Sequence, residues 1–205
     1  MRTTINLILL LSLIGNLEIS AQQILKVERK VILIDPGHGG IDSGTVSKDG
    51  PHEKDVVLDI ARKMVAWNKG LLESKYDIYL TRSTDTLISL NDRVKLAKHL
   101  KPDIFVSLHC NHIANPNIDG IEIYVYSANK LSLLFANSIL TELNQKLGFK
   151  IREVKRANFQ ILQETIESCH AFLVELGYLS NPNESNYLSS KEKRKALALA
   201  LLMSL

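Results

Sequence analysis

Apolar and polar positions alternate along this chain in two distinct periods. Short continuous apolar runs, VILI at 31–34 and IFVSL at 104–108, have the length and β-branched content of strands covered on both faces. Strands are predicted over Val31–Asp35, Asp77–Thr81, Ile104–His109, Gly120–Tyr126 and Ala171–Glu175, with a weaker one over Asn158–Leu162. The helical period lies between them. Val56, Val57, Ile60, Ala61, Met64 and Val65 recur at the spacing of one helix face. Leu131, Phe135, Ile139, Leu140, Leu143 and Leu147 form a second stripe, stopped by Gly148. Leu90–Leu100 and Lys191–Leu205 supply two more helices, the last expected to close the domain against the sheet. No internal repeat or second compositional zone follows residue 30. The pattern predicts one α/β domain over residues 31–205, with a mostly parallel sheet and helices on both faces.

The first thirty residues stand outside that alternation. Met1 and Arg2 precede an apolar run at Leu7–Ile14, and the small residues Ser20 and Ala21 offer a cleavage point before Gln22. The run is shorter than the roughly 20 apolar residues of a membrane span. Residues 1–21 are therefore expected to be a signal peptide and 22–30 a polar lead-in, the alternative being an uncleaved N-terminal anchor. This places the mature protein in the periplasm or outside the cell, with no membrane span after cleavage. Composition adds little: 205 residues, 45% hydrophobic and 23% charged, are ordinary for one globular domain. A net charge of +3, without an aromatic-interleaved basic stripe, excludes nucleic acid as an expected partner. Cys110 and Cys169 lack the CxxC spacing of a metal site, and two cysteines are no disulfide framework.

Chemistry gathers at strand ends. In parallel α/β sheets, ligands bind beyond the carboxyl ends of the strands. His38 follows the first strand through the turn Pro36-Gly37, His109 ends the third, and Glu175 ends the strand that opens at Ala171. Glu53, at the start of the Val56 helix, borders the same loop region. The glycines around His38 (PGHGG) allow a tight turn and close approach to a ligand. His109 is a polar ring closing an apolar strand, with Ser107 and Asn111 on its face by period two. A His, Glu and His set from separate elements suits a catalytic zinc with an open position. An acid directly after Phe172-Leu173-Val174 should be buried, and a buried carboxylate needs a partner or a task. His52, His99, His112 and His170 are read as loop, surface or rim residues. Lys150, Arg152, Lys155 and Arg156 form a basic cluster that serves either as an anion-binding rim or as a solvated face.

The segments VILIDPGHGGIDSG, EKDVVLDIARKM, LTRSTDTLISLNDRVKLAKHLKPDIFVSLHCNH, GIEIYVY and FLVELGYLSNPNE resemble, in order, the zinc-dependent N-acetylmuramoyl-L-alanine amidases involved in daughter-cell separation. That resemblance implies an α/β fold with a roughly six-stranded sheet, one Zn2+ ligated by His38, Glu53 and His109, and Glu175 as catalytic acid and base. It implies peptidoglycan or muropeptides as partner, cut between N-acetylmuramic acid and L-alanine. It favours Arg152 and Lys155, with Asn111, as substrate contacts. Asp35 and Ser107, with Asn111, are candidates for fixing a ligating imidazole. The chain departs from the family pattern at Glu153, Gln163 and His170, which touches substrate preference more than the metal site. Some members carry a helical insertion that plugs the site. Here GIEIYVY runs directly into SANKLSLLFA, so no plug and no activator protein are expected. Two alternatives stay open, another zinc amide hydrolase acting on wall peptides or sugars, and a non-catalytic wall-binding module.

Overall fold

A computed structural model describes residues 28–48, 50–126, 130–165 and 169–205. The expected signal peptide and most of the lead-in lie outside the described residues. Six strands form one sheet: β1 (Val31–Pro36), β2 (Asp77–Leu80), β3 (Ile104–Asn111), β4 (Ile121–Val125), β5 (Ile151–Arg156) and β6 (His170–Tyr178). Their order is β2-β1-β3-β6-β4-β5. Neighbours run parallel except β4 against β6.

The helices are α1 (Glu53–Gly70), α2 (Leu90–Leu100), α3 (Lys130–Leu147), α4 (Gln160–Gln163), α5 (Pro182–Ser189) and α6 (Lys191–Met203). Caps legible in the sequence start three of them. Ser89 accepts from Asp92 N at 3.1 Å, Asn181 from Asn183 N at 2.9 Å ahead of Pro182, and Ser190 from Lys193 N at 3.4 Å.

The sheet separates two cores. On the larger side Val56, Ile60 and Met64 of α1, Ile139 and Leu143 of α3, and Leu197 and Leu201 of α6 cover Ile32, Val106, Ile123 and Val174. On the thinner side Val94 and Ala97 of α2 with Ile161 and Leu162 of α4 cover Leu33, Phe105 and Leu173. The nearest neighbours of α6 are α1 and α3, so it closes the domain across them. Leu131, expected on the buried stripe of α3, is exposed.

The sixth strand differs from expectation. Residues 158–162 run into the short helix α4 (Gln160–Gln163) instead of forming a strand, and the sixth strand is Ile151–Arg156. An edge strand buries little, so IREVKR carries charges where a central strand carries apolar residues, and it reads as a basic cluster. Helix α5 is an addition to the expected elements, although Asn181-Pro182 is a helix-start signal.

Candidate active site

Strand β1 delivers the chain into Gly37-His38-Gly39-Gly40, where His38 adopts φ +57°, a left-handed conformation that costs a non-glycine residue about 1–3 kcal/mol. Its surroundings impose the bend. Arg93 donates from Nη1 to Pro36 O at 2.8 Å and to Asp35 Oδ1 at 2.5 Å, and from Nη2 to His38 O at 2.7 Å. Arg82 donates to the carbonyls of Pro36 (3.0 Å), Gly37 (2.7 Å) and Lys54 (2.9 Å). Both arginines are 3% exposed. Their charge is dispersed over carbonyl dipoles and, for Arg93, the carboxylate of Asp35.

Glu53 opens α1, where the helix dipole favours a carboxylate. Its Oε1 lies 3.1 Å from His38 Nε2 and 2.9 Å from His109 Nδ1, and accepts from Cys110 N at 2.9 Å. Its Oε2 accepts from Thr45 N at 2.8 Å. Burial pushes this carboxyl up, but the two imidazoles and their hydrogen bonds outweigh it and hold Glu53 far below the usual carboxylate range. Burial likewise pushes His38 down, yet Glu53 and Asp42 raise it to about 9. Asp42 Oδ2 lies 2.9 Å from His38 Nδ1, so the ring is held from its far side. Close packing depends on missing side chains: a Cβ at Gly37 would run into the His109 ring, and one at Gly44 would lie 2.5 Å from Glu53 Oε2.

The ligand atoms of His38, Glu53 and His109 lie within 4.8 Å of one another. Two nitrogens and one carboxylate oxygen are donors that suit Zn2+, and ligation requires neutral imidazoles, so a cation bound here would take the place of a proton on His38. Glu175 stands beside this group, in register with His109 across β3 and β6. Its Oε2 is buried with no hydrogen-bond partner among the described residues. Burial raises its carboxyl to about 7, with His109 opposing that rise. A buried carboxyl poised near neutrality beside three side chains that could hold a metal ion is equipped to move protons at a polarised substrate.

The profile of the N-acetylmuramoyl-L-alanine amidase family matches residues 32–205. The chain belongs to that family. The probable cell wall amidase LytH of Staphylococcus epidermidis is 31% identical over 192 residues, spanning 91% of this chain and 62% of that protein. The chain thus spans about three fifths of the length of that relative. The solved catalytic domain of the amidase CwlV from Bacillus (Paenibacillus) polymyxa superposes with a TM-score of 0.77 at 34% identity, covering 85% of this chain and 95% of that one. The CwlD amidase of Clostridioides difficile, solved in complex with the GerS lipoprotein, gives a TM-score of 0.78 at 26% identity, covering 86% and 96%.

Within this amidase fold, the other expected site residues fall into two groups. Asp35 accepts from Ser107 (2.9 Å), Thr81 (2.6 Å) and Arg93, and neither Asp35 nor Ser107 bonds an imidazole. The pair supports the His38 loop through Arg93, while Asp42 and Glu53 are the carboxylates that touch the rings. Asp42 escapes a sequence reading because a half-exposed Asp in a glycine-rich loop resembles ordinary turn chemistry; its i+4 spacing from His38 is the available signal. Asn111, Arg152 and Lys155 gather on the other flank, around Glu122 of β4. Glu122 escapes it too, although an acid between Ile121 and Ile123 breaks an apolar run much as Glu175 does. Cys110 and Cys169 are free and lie on opposite sides of the sheet.

Proposed function

We propose that this chain is a zinc-dependent hydrolase of the amide bond between N-acetylmuramic acid and L-alanine in peptidoglycan, acting in the periplasm or outside the cell. The observation that carries the reading is the buried Oε2 of Glu175, without a hydrogen-bond partner among the described residues, beside His38, Glu53 and His109. A pure wall-binding module has no use for a buried carboxyl poised near neutrality. Family membership selects the glycan–peptide bond among amides.

His38, Glu53 and His109 would hold the ion, and Asp42 orients His38 from the opposite ring nitrogen. A bound Zn2+ supplies a Lewis acid at this position. Glu175, ionised, accepts a proton from the attacking water as the water oxygen bonds to the lactyl carbonyl carbon. It then returns that proton to the alanine nitrogen as the C–N bond breaks, leaving a muramic acid carboxylate and a stem peptide with a free amino terminus. Arg152, Lys155 and Asn111, gathered around Glu122 opposite Glu175, would meet the peptide portion of the substrate.

The connection from β4 to α3 spans only residues 126–129, too few for a helical insertion over the site. CwlD was solved with the GerS lipoprotein; for this chain the reading is activity without a partner. Among the described residues no helix is long and apolar enough to cross a membrane.

The test is purified protein with peptidoglycan, followed by mass spectrometry of released stem peptides. Peptides beginning with free L-alanine, lost with chelator or with Glu175→Ala and regained on adding zinc, are expected. A folded, zinc-loaded protein that releases none overturns the reading, and one that needs a cell extract to act overturns its independence.

A further inference from the structure

Asn111, Arg152 and Lys155 converge on a single carboxylate. Glu122 is 1% exposed. Its Oε1 accepts from Arg152 Nε at 3.0 Å and Lys155 Nζ at 2.9 Å, and its Oε2 from Tyr124 OH at 2.8 Å and Asn111 Nδ2 at 3.2 Å. Burial pushes this carboxyl up, but Lys155, Tyr124 and Tyr178 outweigh it, and Glu122 stays ionised below the usual range. With both oxygens occupied from inside the protein, it has nothing to offer a ligand.

Its partners do. Arg152 donates Nε to Glu122 and Nη1 to Asp119 O at 3.0 Å, and its Nη2 has no protein partner among the described residues. The Lys155 ammonium carries three N–H bonds and, among the described residues, pairs with the carboxylates of Glu122 and, at 3.4 Å, the exposed Glu153. These side chains are 28% and 34% exposed. The cations pack against the rings of Tyr178 and Tyr124, which limits their rotamers. Glu122 lies directly opposite Glu175 across the antiparallel β4–β6 pair, a separation of about 4.5–5.5 Å between Cβ atoms. A substrate whose scissile amide lies at Glu175 therefore has its next groups within reach of this flank.

We propose that Glu122 is a positioning residue, which fixes Arg152 and Lys155 so that their remaining donors receive a carboxylate of the stem peptide and select free-carboxylate peptides over their carboxamides. The inference rests on the amidase reading above. Charge alone predicts the opposite effect of removing it. Neutralising Glu122 makes the flank more positive, which strengthens attraction for an anion, whereas loss of positioning weakens it because two long side chains must then be ordered on binding.

The experiment measures kcat and KM of the full chain on a muramoyl-L-alanyl peptide ending in a free carboxylate and on its carboxamide. Wild type is expected to show the lower KM for the carboxylate. Glu122→Gln should raise that KM about tenfold, the scale of one charge-assisted hydrogen bond, with kcat and zinc content little changed and the carboxamide KM nearly unmoved. A fallen KM, equal effects on both substrates, or a wild type indifferent to the carboxylate overturns the proposal. Should Glu122→Gln not fold, Lys155→Gln decides, with the same carboxylate-selective rise expected and no change overturning it. If wild type cuts neither compound, the amidase reading fails instead. Calorimetric binding of the two peptides to wild type and Lys155→Gln then tests the flank independently of chemistry, and equal affinities overturn it.

Discussion

Both flanks of the site around Glu175 are built from cations paired with the protein's own oxygens, but to different ends. Beside His38 and Glu53, Arg82 and Arg93 are sealed from solvent and bonded to a ring of carbonyls that fixes the His38 loop. On the β4–β5 side, Arg152 and Lys155 are about a third exposed and keep donors unused among the described residues. Burial and the tally of donors, more than residue type, separate a cation that shapes the site from one that can greet a substrate. The carboxylates divide the same way. Glu53 and Glu122 are satisfied and ionised, and Glu175 between them is left wanting a partner. Three acids on neighbouring elements take three roles from their surroundings.

The largest effect is expected at that unsatisfied acid. Glu175→Gln should lower kcat by about 10²–10⁴ while zinc content holds, as measured by steady-state kinetics and metal analysis. Its thermal midpoint should stay level or rise, since no hydrogen bond holds the carboxyl at Oε2. Next comes the contrast between flanks. Arg93→Met leaves Asp35 buried without its cation and should cost about 3–5 kcal/mol in denaturant unfolding. Lys155→Met should cost under about 1 kcal/mol, as for a partly exposed pair. Equal losses would erase the distinction between the two flanks. Asp42→Asn keeps the shape of the turn but weakens the hold on His38, and zinc affinity should fall about 10–100-fold in competition with a chelator. The smallest effect is the pH dependence of Glu122. Its folded pKa is depressed, so its stabilisation is complete above the ordinary carboxylate pKa and is lost as pH falls through the depressed value. The thermal advantage of wild type over Glu122→Gln should therefore shrink on acidification from neutral pH, and an advantage that grows would invert the assignment.

Periodicity and strand ends make the centre of the molecule legible in its sequence. Continuous apolar runs locate the central strands, and residues at their carboxyl ends must share an edge, which is why His38, His109 and Glu175 can be grouped from the sequence alone. Glu53 is legible as an acid opening a helix. The illegible parts are those where tertiary partners override local pattern. Ile151–Arg156 joins the sheet because Ile121–Val125 offers it an open edge, a fact absent from its own charged sequence. Residues 158–162 have β-like composition, yet Ile161 and Leu162 fill the thin core as a turn of helix. Glu122 is defined by four groups from three other elements and a β4 tyrosine, and only the fold assembles them.

The placement of the two thiols has a practical corollary. Cys110 and Cys169 lie on opposite sides of a six-stranded sheet, and burial pushes both thiols up, Cys169 to about 12. They can neither staple the fold nor ionise readily into nucleophiles. The domain is thus indifferent to the redox state of its surroundings: it should mature without oxidative folding machinery, and a reducing expression host should yield the same protein as an oxidising one.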